Sequence, residues 1–188
     1  MRENQMKTIK HLKTILTHKY WVSHYCFTCG LYWQGIIHDL SKFSPAEFIE
    51  SARHYQGHRS PIDACKEANG YSKAWLHHRG RNKHHWEMWL DDFSKGTIAI
   101  KMPYKYALEM MCDFLAAGRA YYKESFSIDK EYNWWQTKKT SVIMHPDTYA
   151  FIEELFEEMY EKGIAEVLTN AKYMKDLKHR YNNPKVSF

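Results

Sequence analysis

The chain has 188 residues, of which 44% are hydrophobic, 26% charged and 16% aromatic, and its formal net charge is +5. This composition favours one soluble globular domain with a sizeable core. It contains no apolar run near the roughly 18 residues of a membrane helix, and the polar start from Met1 to Lys13 is unlike a signal peptide. We therefore expect a cytoplasmic protein without membrane association, and the positive charge suits an anionic ligand.

The four cysteines do not form a zinc-ribbon pattern, because Cys26-x-x-Cys29 is the only closely spaced pair. These two residues lie in a helical pattern, in which positions i and i+3 share a face. Buried free thiols are therefore favoured over a metal site or a redox pair.

The first part of the chain is predicted to be helical. A long helix spans residues 6–29, where apolar residues recur at helical spacing, and Gly30 ends it. A short apolar helix at residues 31–39 carries His38 and Asp39. A third helix begins at Ser44-Pro45-Ala46-Glu47, with Ser44 as N-cap, and runs to about Tyr55.

The rest of the chain is also predicted to be helical, with a loop-rich middle and no alternating strand pattern. Its predicted parts are a loop-rich segment at 56–70 that ends in a short helical piece, a helical turn at 72–79, a helix at 84–93, a turn at 94–96, a strong helix from Pro103 to about Lys123, an irregular aromatic segment at 124–144 and a final amphipathic helix from Pro146. We expect one all-α domain over residues 1–188, with its core at about 6–165 and a poorly ordered tail after about Tyr181.

The most informative stretch is Ile36-Ile37-His38-Asp39-Leu40-Ser41-Lys42-Phe43, in which an apolar run ends in a His-Asp pair. Packing does not explain adjacent imidazole and carboxylate groups. Together they suit a divalent metal ion, and the carboxylate is able to bridge to a second ion. The stretch therefore predicts a metal site that needs further ligands.

Two further ligand candidates lie on the predicted long helices. His18 is on the first helix, which can pack antiparallel to the second, although His11 and His24 compete for this role. Asp113 lies on an otherwise apolar face of the helix from Pro103. An ionised carboxylate on an inward face is costly unless it is paired or bound to metal.

Two histidine doublets, His77-His78 and His84-His85, fall within nine positions together with three basic residues. Such a cluster is unusual for a solvated face, which generally carries Lys and Glu. Histidines suit metal ligation or the binding of anionic oxygens, and Arg79, Arg81 and Lys83 add charge suitable for phosphate.

Taken in order, these residues resemble the H…HD…H…H…D pattern of the HD-domain metal-dependent hydrolase superfamily over about residues 18–120. The whole chain also resembles an uncharacterised bacterial and phage family of HD-like proteins. The resemblance implies an HD-like helical bundle with one or two divalent ions, such as manganese, iron, magnesium, cobalt or zinc. It assigns the first ion to His18, His38, Asp39 and Asp113. Asp39 would bridge to a second ion held by one histidine of each doublet, taken as His78 and His85.

The chain departs from that pattern in the doublets, which are closer together than the two extra histidines usually are. One doublet is therefore a candidate for binding substrate, and His84 is assigned to the substrate together with Arg79, Arg81 and Lys83. The His84-His85-Trp86-Glu87 segment only loosely resembles the HHE run of cyclic-dinucleotide phosphodiesterases, and the GYP element is missing. That activity is disfavoured.

The leading hypothesis is a metal-dependent phosphohydrolase that acts on a nucleotide or another small anionic phosphate ester. Its catalytic residues would be Asp39, Lys42 and Glu87, where Lys42 faces the substrate anion and Glu87, or alternatively Glu47, transfers a proton. One alternative is an HD-like di-iron oxygenase, which uses the same ligand order. Another is a non-catalytic protein that binds nucleic acid or a nucleotide through basic and aromatic residues and holds a structural metal, although no recognised nucleic-acid motif is present.

Overall fold

The computed structural model describes residues 2–94 and 96–184, and within these ranges the protein is predominantly helical, which confirms the predicted all-α class. The described elements are α1 (Arg2–Thr28), α2 (Tyr32–Ile37), α3 (Pro45–His54), α4 (Pro61–Asn69), α5 (Lys73–Arg79), β1 (Leu90–Phe93), β2 (Gly96–Ala99), α6 (Tyr104–Tyr122), α7 (Ile128–Lys138), α8 (Pro146–Lys162), α9 (Ile164–Thr169) and α10 (Ala171–Asn182). Short 3₁₀ segments lie at Leu40–Phe43, Trp86–Trp89, Lys123–Ser125 and Lys139–Ser141.

The apolar core lies where the second half of α1 packs against α6 and where α6 packs against α8. Val22 and Cys26 of α1 and Leu108 and Leu115 of α6 are fully buried there. The alanines of α6 allow this close approach, since Ala107 and Ala116 are also fully buried. Burial of this apolar surface is the main stabilising contribution to the fold.

The core extends through the two last helices, beyond the 6–165 span expected from the sequence. Leu168 of α9 and Leu177 and Tyr181 of α10 are buried. The Tyr181 hydroxyl donates a hydrogen bond to the carbonyl of Met102 and lies 3.1 Å from the hydroxyl of Thr148. The poorly ordered tail predicted after Tyr181 falls largely on residues 185–188, which lie outside the described residues.

The helix predicted at 84–93 is wrong, and a small two-stranded sheet lies where the sequence showed no alternating strand pattern. A 3₁₀ segment at Trp86–Trp89 leads into β1, which pairs antiparallel with β2, with Leu90 opposite Ala99. Gly96 has a φ of +113°, a conformation that favours glycine at a tight turn. The hairpin ends at Ala99, and a short loop joins it to Pro103, the N-cap of α6.

The irregular segment predicted at 124–144 is also wrong, because it contains α7. The Ser127 hydroxyl caps this helix by accepting a hydrogen bond from the Lys130 amide at 3.3 Å. Trp135 is fully buried and stacks on Phe156 of α8 with ring centroids 5.3 Å apart. Its tertiary packing, not its local pattern, places this aromatic segment in a helix.

The prediction of free thiols is confirmed. All four cysteines are free, with Cys26, Cys65 and Cys112 buried and Cys29 partly buried. The sulfur atoms of Cys29 and Cys112 lie 3.8 Å apart. None of the described helices is both long enough and apolar enough to cross a bilayer.

Candidate metal centre

The His-Asp pair lies in the turn that follows α2, not inside a helix as predicted. The helix ends at Ile37, and Asp39 adopts the left-handed conformation with a φ of +55° and a ψ of 23°. Aspartate tolerates this conformation better than most residues. Lys19 of α1 holds the turn by donating hydrogen bonds to the carbonyl oxygens of Gly35, Ile36 and His38 at 2.6–2.9 Å.

This turn brings His38 and Asp39 beside His18 of α1 and Asp113 of α6. The Oδ2 atom of Asp39 lies 3.4 Å from His18 Nε2 and 3.3 Å from His38 Nε2. The Oδ1 atom of Asp113 lies 3.0 Å from His18 Nε2 and 3.3 Å from His38 Nε2. These four residues form the first donor group.

The spacing of these atoms is that of ligands around one ion. Bonds of about 2.0–2.2 Å to nitrogen and oxygen put neighbouring ligand atoms about 2.8–3.6 Å apart in octahedral or tetrahedral geometry. All four measured distances, from 3.0 to 3.4 Å, lie in this range. The first donor group could therefore hold a metal ion.

A second donor group lies on the other oxygen of Asp39 and consists of Asp39, His78, His84 and His85, whose donor atoms all lie within 4.8 Å of one another. Asp39 Oδ1 is 3.3 Å from His78 Nε2 and 3.4 Å from His84 Nε2. The structure thus places His84, which was assigned to substrate, among the possible ligands. Both histidines of the second doublet are present, where the resemblance implied only one.

Two buried glutamates orient the histidines by contacting Nδ1, the ring nitrogen that does not face Asp39. Glu109 of α6 accepts from His38 Nδ1 at 2.9 Å and lies 3.3 Å from His84 Nδ1. Glu47 of α3 lies 2.6 Å from His77 Nδ1 and 2.7 Å from His78 Nδ1. Carboxylates in this position fix the ring orientation of metal-binding histidines and raise their basicity.

Glu109 is not among the site residues predicted from the sequence, although its position four residues before Asp113 puts both carboxylates on one face of α6. Glu47 was considered as a cap or a proton-transfer group. In the structure the Glu47 carboxylate instead contacts His77 and His78. The Ser44 side chain makes no capping hydrogen bond to α3. His77 binds Glu47 and belongs to neither donor group.

The electrostatics of the cluster favour a bound cation. Burial disfavours a charged His38, but Asp39, Asp113 and Glu109 outweigh burial and raise its pKa well above the usual range. Burial likewise opposes an ionised Asp39, yet His38, Lys42 and His78 hold its pKa well below the usual range. The pocket is thus built around ionised carboxylates, and a proton and a metal ion would compete for the same imidazole nitrogen.

Several donor atoms have no hydrogen bond in the part of the chain that the structure describes. They are the buried Nε2 atoms of His18, His38, His84 and His85 and Oδ1 of Asp39. Buried polar atoms are generally paired, and each unpaired one costs roughly 1–3 kcal/mol. These unpaired donor atoms lie close together in two groups, as the ligands of a metal ion do. The residues present therefore fit a bound metal ion.

Residues 7–158 match the model of a family described as "Family of unknown function (DUF5662)". The chain belongs to this family. No curated protein and no solved structure matches the chain. The matched segment includes every residue of both donor groups, from His18 to Asp113.

In this DUF5662 chain, Lys42 lies between the donor groups and a cavity. Its Nζ atom is 2.5 Å from Asp39 Oδ2, and Asp39 and Asp113 raise its pKa against the effect of burial, so the ammonium stays charged. The adjoining cavity has a volume of about 190 Å³. Its lining includes Lys42, His78, His85, Asp113 and, from α1, His11, Thr14 and His18.

The competition between the histidines of α1 is resolved by their positions. His18 joins the first donor group, His24 is exposed, and His11 is buried in the wall of the cavity, two helical turns before His18. Only His18 therefore has the predicted ligand position.

The structure does not bring the predicted basic residues into this cavity. Arg81 and Lys83 are exposed, Arg79 is half-buried, and none of the three lines the cavity. Glu87 lies in the wall of a neighbouring cavity together with His85 and Asp113. Burial raises the pKa of Glu87, so this carboxyl holds a proton more readily than an exposed one.

Proposed function

We propose that this protein is a metal-dependent phosphohydrolase of the HD-domain type that acts on a nucleotide or another small phosphate ester. The observation that carries the proposal is one carboxylate, Asp39, shared by two donor groups beside the charged Lys42 and a cavity. Shared carboxylates are a common feature of two-metal phosphoryl-transfer sites.

The residues that would hold metal are divided between the two oxygens of Asp39. His18, His38 and Asp113 would complete the first site, and His78, His84 and His85 the second. The chemistry that a bound divalent ion supplies is Lewis-acid polarisation of a phosphoryl oxygen and acidification of water. The divided geometry supports one or two ions, and histidine-rich donor sets suit manganese, iron, cobalt or zinc better than magnesium.

The other side chains of the site would bind and orient the substrate. Lys42 is the positive group that lines the cavity next to Asp39, and it would hold a phosphoryl oxygen. Glu87, with its raised pKa, would donate a proton to the leaving group. Arg79, Arg81 and Lys83 lie outside the cavity lining, and their charge would act by attracting the anion to this face.

The test is to purify the protein after growth with manganese, magnesium, cobalt or iron, to measure metal content, and to assay phosphate release from nucleotides and simple phosphate esters. We expect at least one bound ion per chain and turnover. Asp39→Asn removes the shared carboxylate charge and should abolish both. Asp92→Asn, at an exposed strand position, is the matched control and should change neither.

Three outcomes would contradict the proposal. The first is absence of phosphate release together with a metal content that Asp39→Asn does not alter. The second is bound iron with an oxygen-dependent change in absorbance and no phosphate release, which would favour the di-iron oxygenase. Metal-independent nucleic-acid binding that weakens steeply with salt would favour the non-catalytic alternative.

A further inference from the structure

A second cavity, of about 400 Å³, adjoins the one beside Lys42. The two share a wall that includes Trp75, His85, Asp113 and Tyr121. The larger volume is within the roughly 300–1,000 Å³ of typical small-molecule sites, whereas the smaller cavity, of about 190 Å³, is below it. A substrate larger than a simple phosphate ester would therefore extend into the second cavity.

The walls of the second cavity are rich in aromatic side chains. Six of them line it, namely Trp75, Trp86, Phe114, Tyr121, Tyr122 and Trp134. Aromatic rings at a ligand site stack on flat heterocycles, and this stacking tolerates any base because every base has a π-face. The lining thus favours a planar ring over an aliphatic group.

One carboxyl group in this wall has no partner. Glu131 of α7 is only 3% exposed, and its carboxyl makes no hydrogen bond or ion pair with any residue that the structure describes. The carboxyl occupies space left by Gly118 of α6, where a Cβ atom would lie 1.8 Å from Glu131 Oε1. A buried carboxyl without a partner is costly, and the backbone of α6 makes room for it.

The charged groups of the same cavity leave Glu131 unpaired. Besides Asp113 of the first donor group, they are Arg59, Asp63, Lys66, Glu87 and Lys138. Arg59 pairs with Glu67, and Lys66 lies over the ring of Trp75. Burial raises the pKa of Glu131 to about 8, so near neutral pH the group presents one donor and one acceptor.

The two polar features line one cavity. Asp113 of the first donor group and Glu131 are both in the wall of the second cavity. Gly118, which contacts Glu131, follows Asp113 by five residues on α6, an axial rise of about 7.5 Å between the two backbone positions. One molecule with a phosphate at one end and a base at the other could therefore contact both features.

We propose that the second cavity binds the base of a nucleotide whose phosphate lies at the metal centre, and that Glu131 hydrogen-bonds the donor and acceptor on the edge of that base. This inference rests on the proposed function, since it names the substrate class of the same site. It makes Glu131 a specificity-determining residue for nucleotides over phosphate esters that lack a base.

The experiment measures binding of AMP and of ribose 5-phosphate to the metal-loaded protein by calorimetry, with the fluorescence of the cavity tryptophans as a second readout. We expect AMP to bind at least about tenfold more tightly, from base stacking and the Glu131 contact. Glu131→Gln keeps one donor and one acceptor and should stay within about threefold of the original affinity. Glu131→Leu should lose about tenfold or more for AMP and nothing for ribose 5-phosphate.

Controls separate a binding role from a structural one. Glu124→Gln, at an exposed position, should leave both affinities unchanged. If Glu131→Leu does not fold, Trp134→Leu at the half-buried wall replaces it and should weaken AMP selectively. In turnover, Glu131→Leu should raise KM for AMP while kcat changes little, which a loss of fold would not produce.

Equal affinities for AMP and ribose 5-phosphate would overturn the inference, as would an unchanged affinity for AMP in Glu131→Leu. An equal loss in Glu131→Gln and Glu131→Leu would overturn the donor-acceptor contact. Base-dependent binding without phosphate release would contradict the phosphohydrolase and leave the base site standing. Phosphate release together with equal affinity for both compounds would support the phosphohydrolase and contradict the base site.

Discussion

Burial contributes to the folding free energy with opposite sign in two regions of this protein. Around α8, Ile152, Leu155 and Phe156 are fully buried among apolar neighbours. At the candidate metal centre, His38 and Asp39 are 2% and 3% exposed, yet they contact charged and polar groups. Apolar burial stabilises the first region, whereas in the second the desolvation of charges opposes folding.

The contrast separates a region that apolar burial stabilises from a polar region whose donor atoms could hold a metal ion. Its carboxylates and imidazoles converge with donor atoms that have no hydrogen bond in the described ranges. A well-packed apolar cluster of the same volume would often be as stable or more stable. Substitutions in the two regions should therefore change different measured quantities.

The largest expected effect is on stability, from Phe156→Ala. Removing this fully buried ring leaves a cavity and should lower the free energy of unfolding by about 3–5 kcal/mol. Urea unfolding would measure it, with Ile9→Ala at a 49% exposed position as control. The metal content of the folded fraction should not change. A loss below about 1 kcal/mol, or a loss of metal from folded protein, would remove the distinction between the regions.

The next effect is on metal affinity, from Glu109→Gln. This change removes the charge that orients His38 and faces His84, and it should weaken metal binding by about 10–100-fold. Titration against a competing chelator would measure it, and Glu157→Gln on the exposed face of α8 is the control. Unaltered affinity would show that Glu109 only fills space behind the histidines.

The smallest effect is on the pH dependence of stability, from His11→Leu. Burial, and then the charge of Lys42, lower the pKa of His11 from 6.5 to about 4. The unfolded chain therefore binds a proton more readily, and the wild type loses stability as the pH falls from 6.5 towards 4. At pH 5 this loss is at most about 2 kcal/mol.

His11→Leu should remove that loss, because leucine does not titrate and suits the contact with Phe48 and Tyr55. Urea unfolding at pH 7 and pH 5 compares the two proteins, and His24→Leu on the exposed side of α1 is the control. An equal decrease from pH 7 to pH 5 in wild type and His11→Leu would show that His11 is solvated in the native state.

The sequence predicts the donors better than it predicts the segments between them. Asp113 is recognisable because helix periodicity places it on an inward face, where an ionised carboxylate is costly unless it is paired or bound to metal. The His-Asp pair is recognisable because packing does not explain adjacent imidazole and carboxylate groups, and His18 because the first two helices can pack antiparallel. Glu109 lies on the same periodic face as Asp113 and could have been found by that spacing. Asp39 carries no local signal for its left-handed turn, which Lys19 stabilises through hydrogen bonds to backbone carbonyls 16–19 residues further along the chain.

The errors arise where tertiary contacts outweigh local preference. The strands within residues 90–99 are too short for a clear alternating pattern, and from the sequence the turn before Gly96 indicates only a break between helices. The aromatic pattern around Trp134 and Trp135 predicts an irregular segment, although Ser127 and the acidic first turn of α7 are helix start signals. The packing of Trp135 on Phe156 stabilises this segment as the helix α7.

The hydrogen bonds from Lys19 to the turn after α2 tie most of the first donor group to one short stretch of the chain. Lys19 follows His18 directly, so one stretch of α1 both presents a donor and holds the turn that presents two others. His18 and Asp39 are only 21 positions apart, and closing so short a loop costs little conformational entropy. Three of the four donors of the first group thus belong to one local helical hairpin, and a single distant residue, Asp113, completes the set.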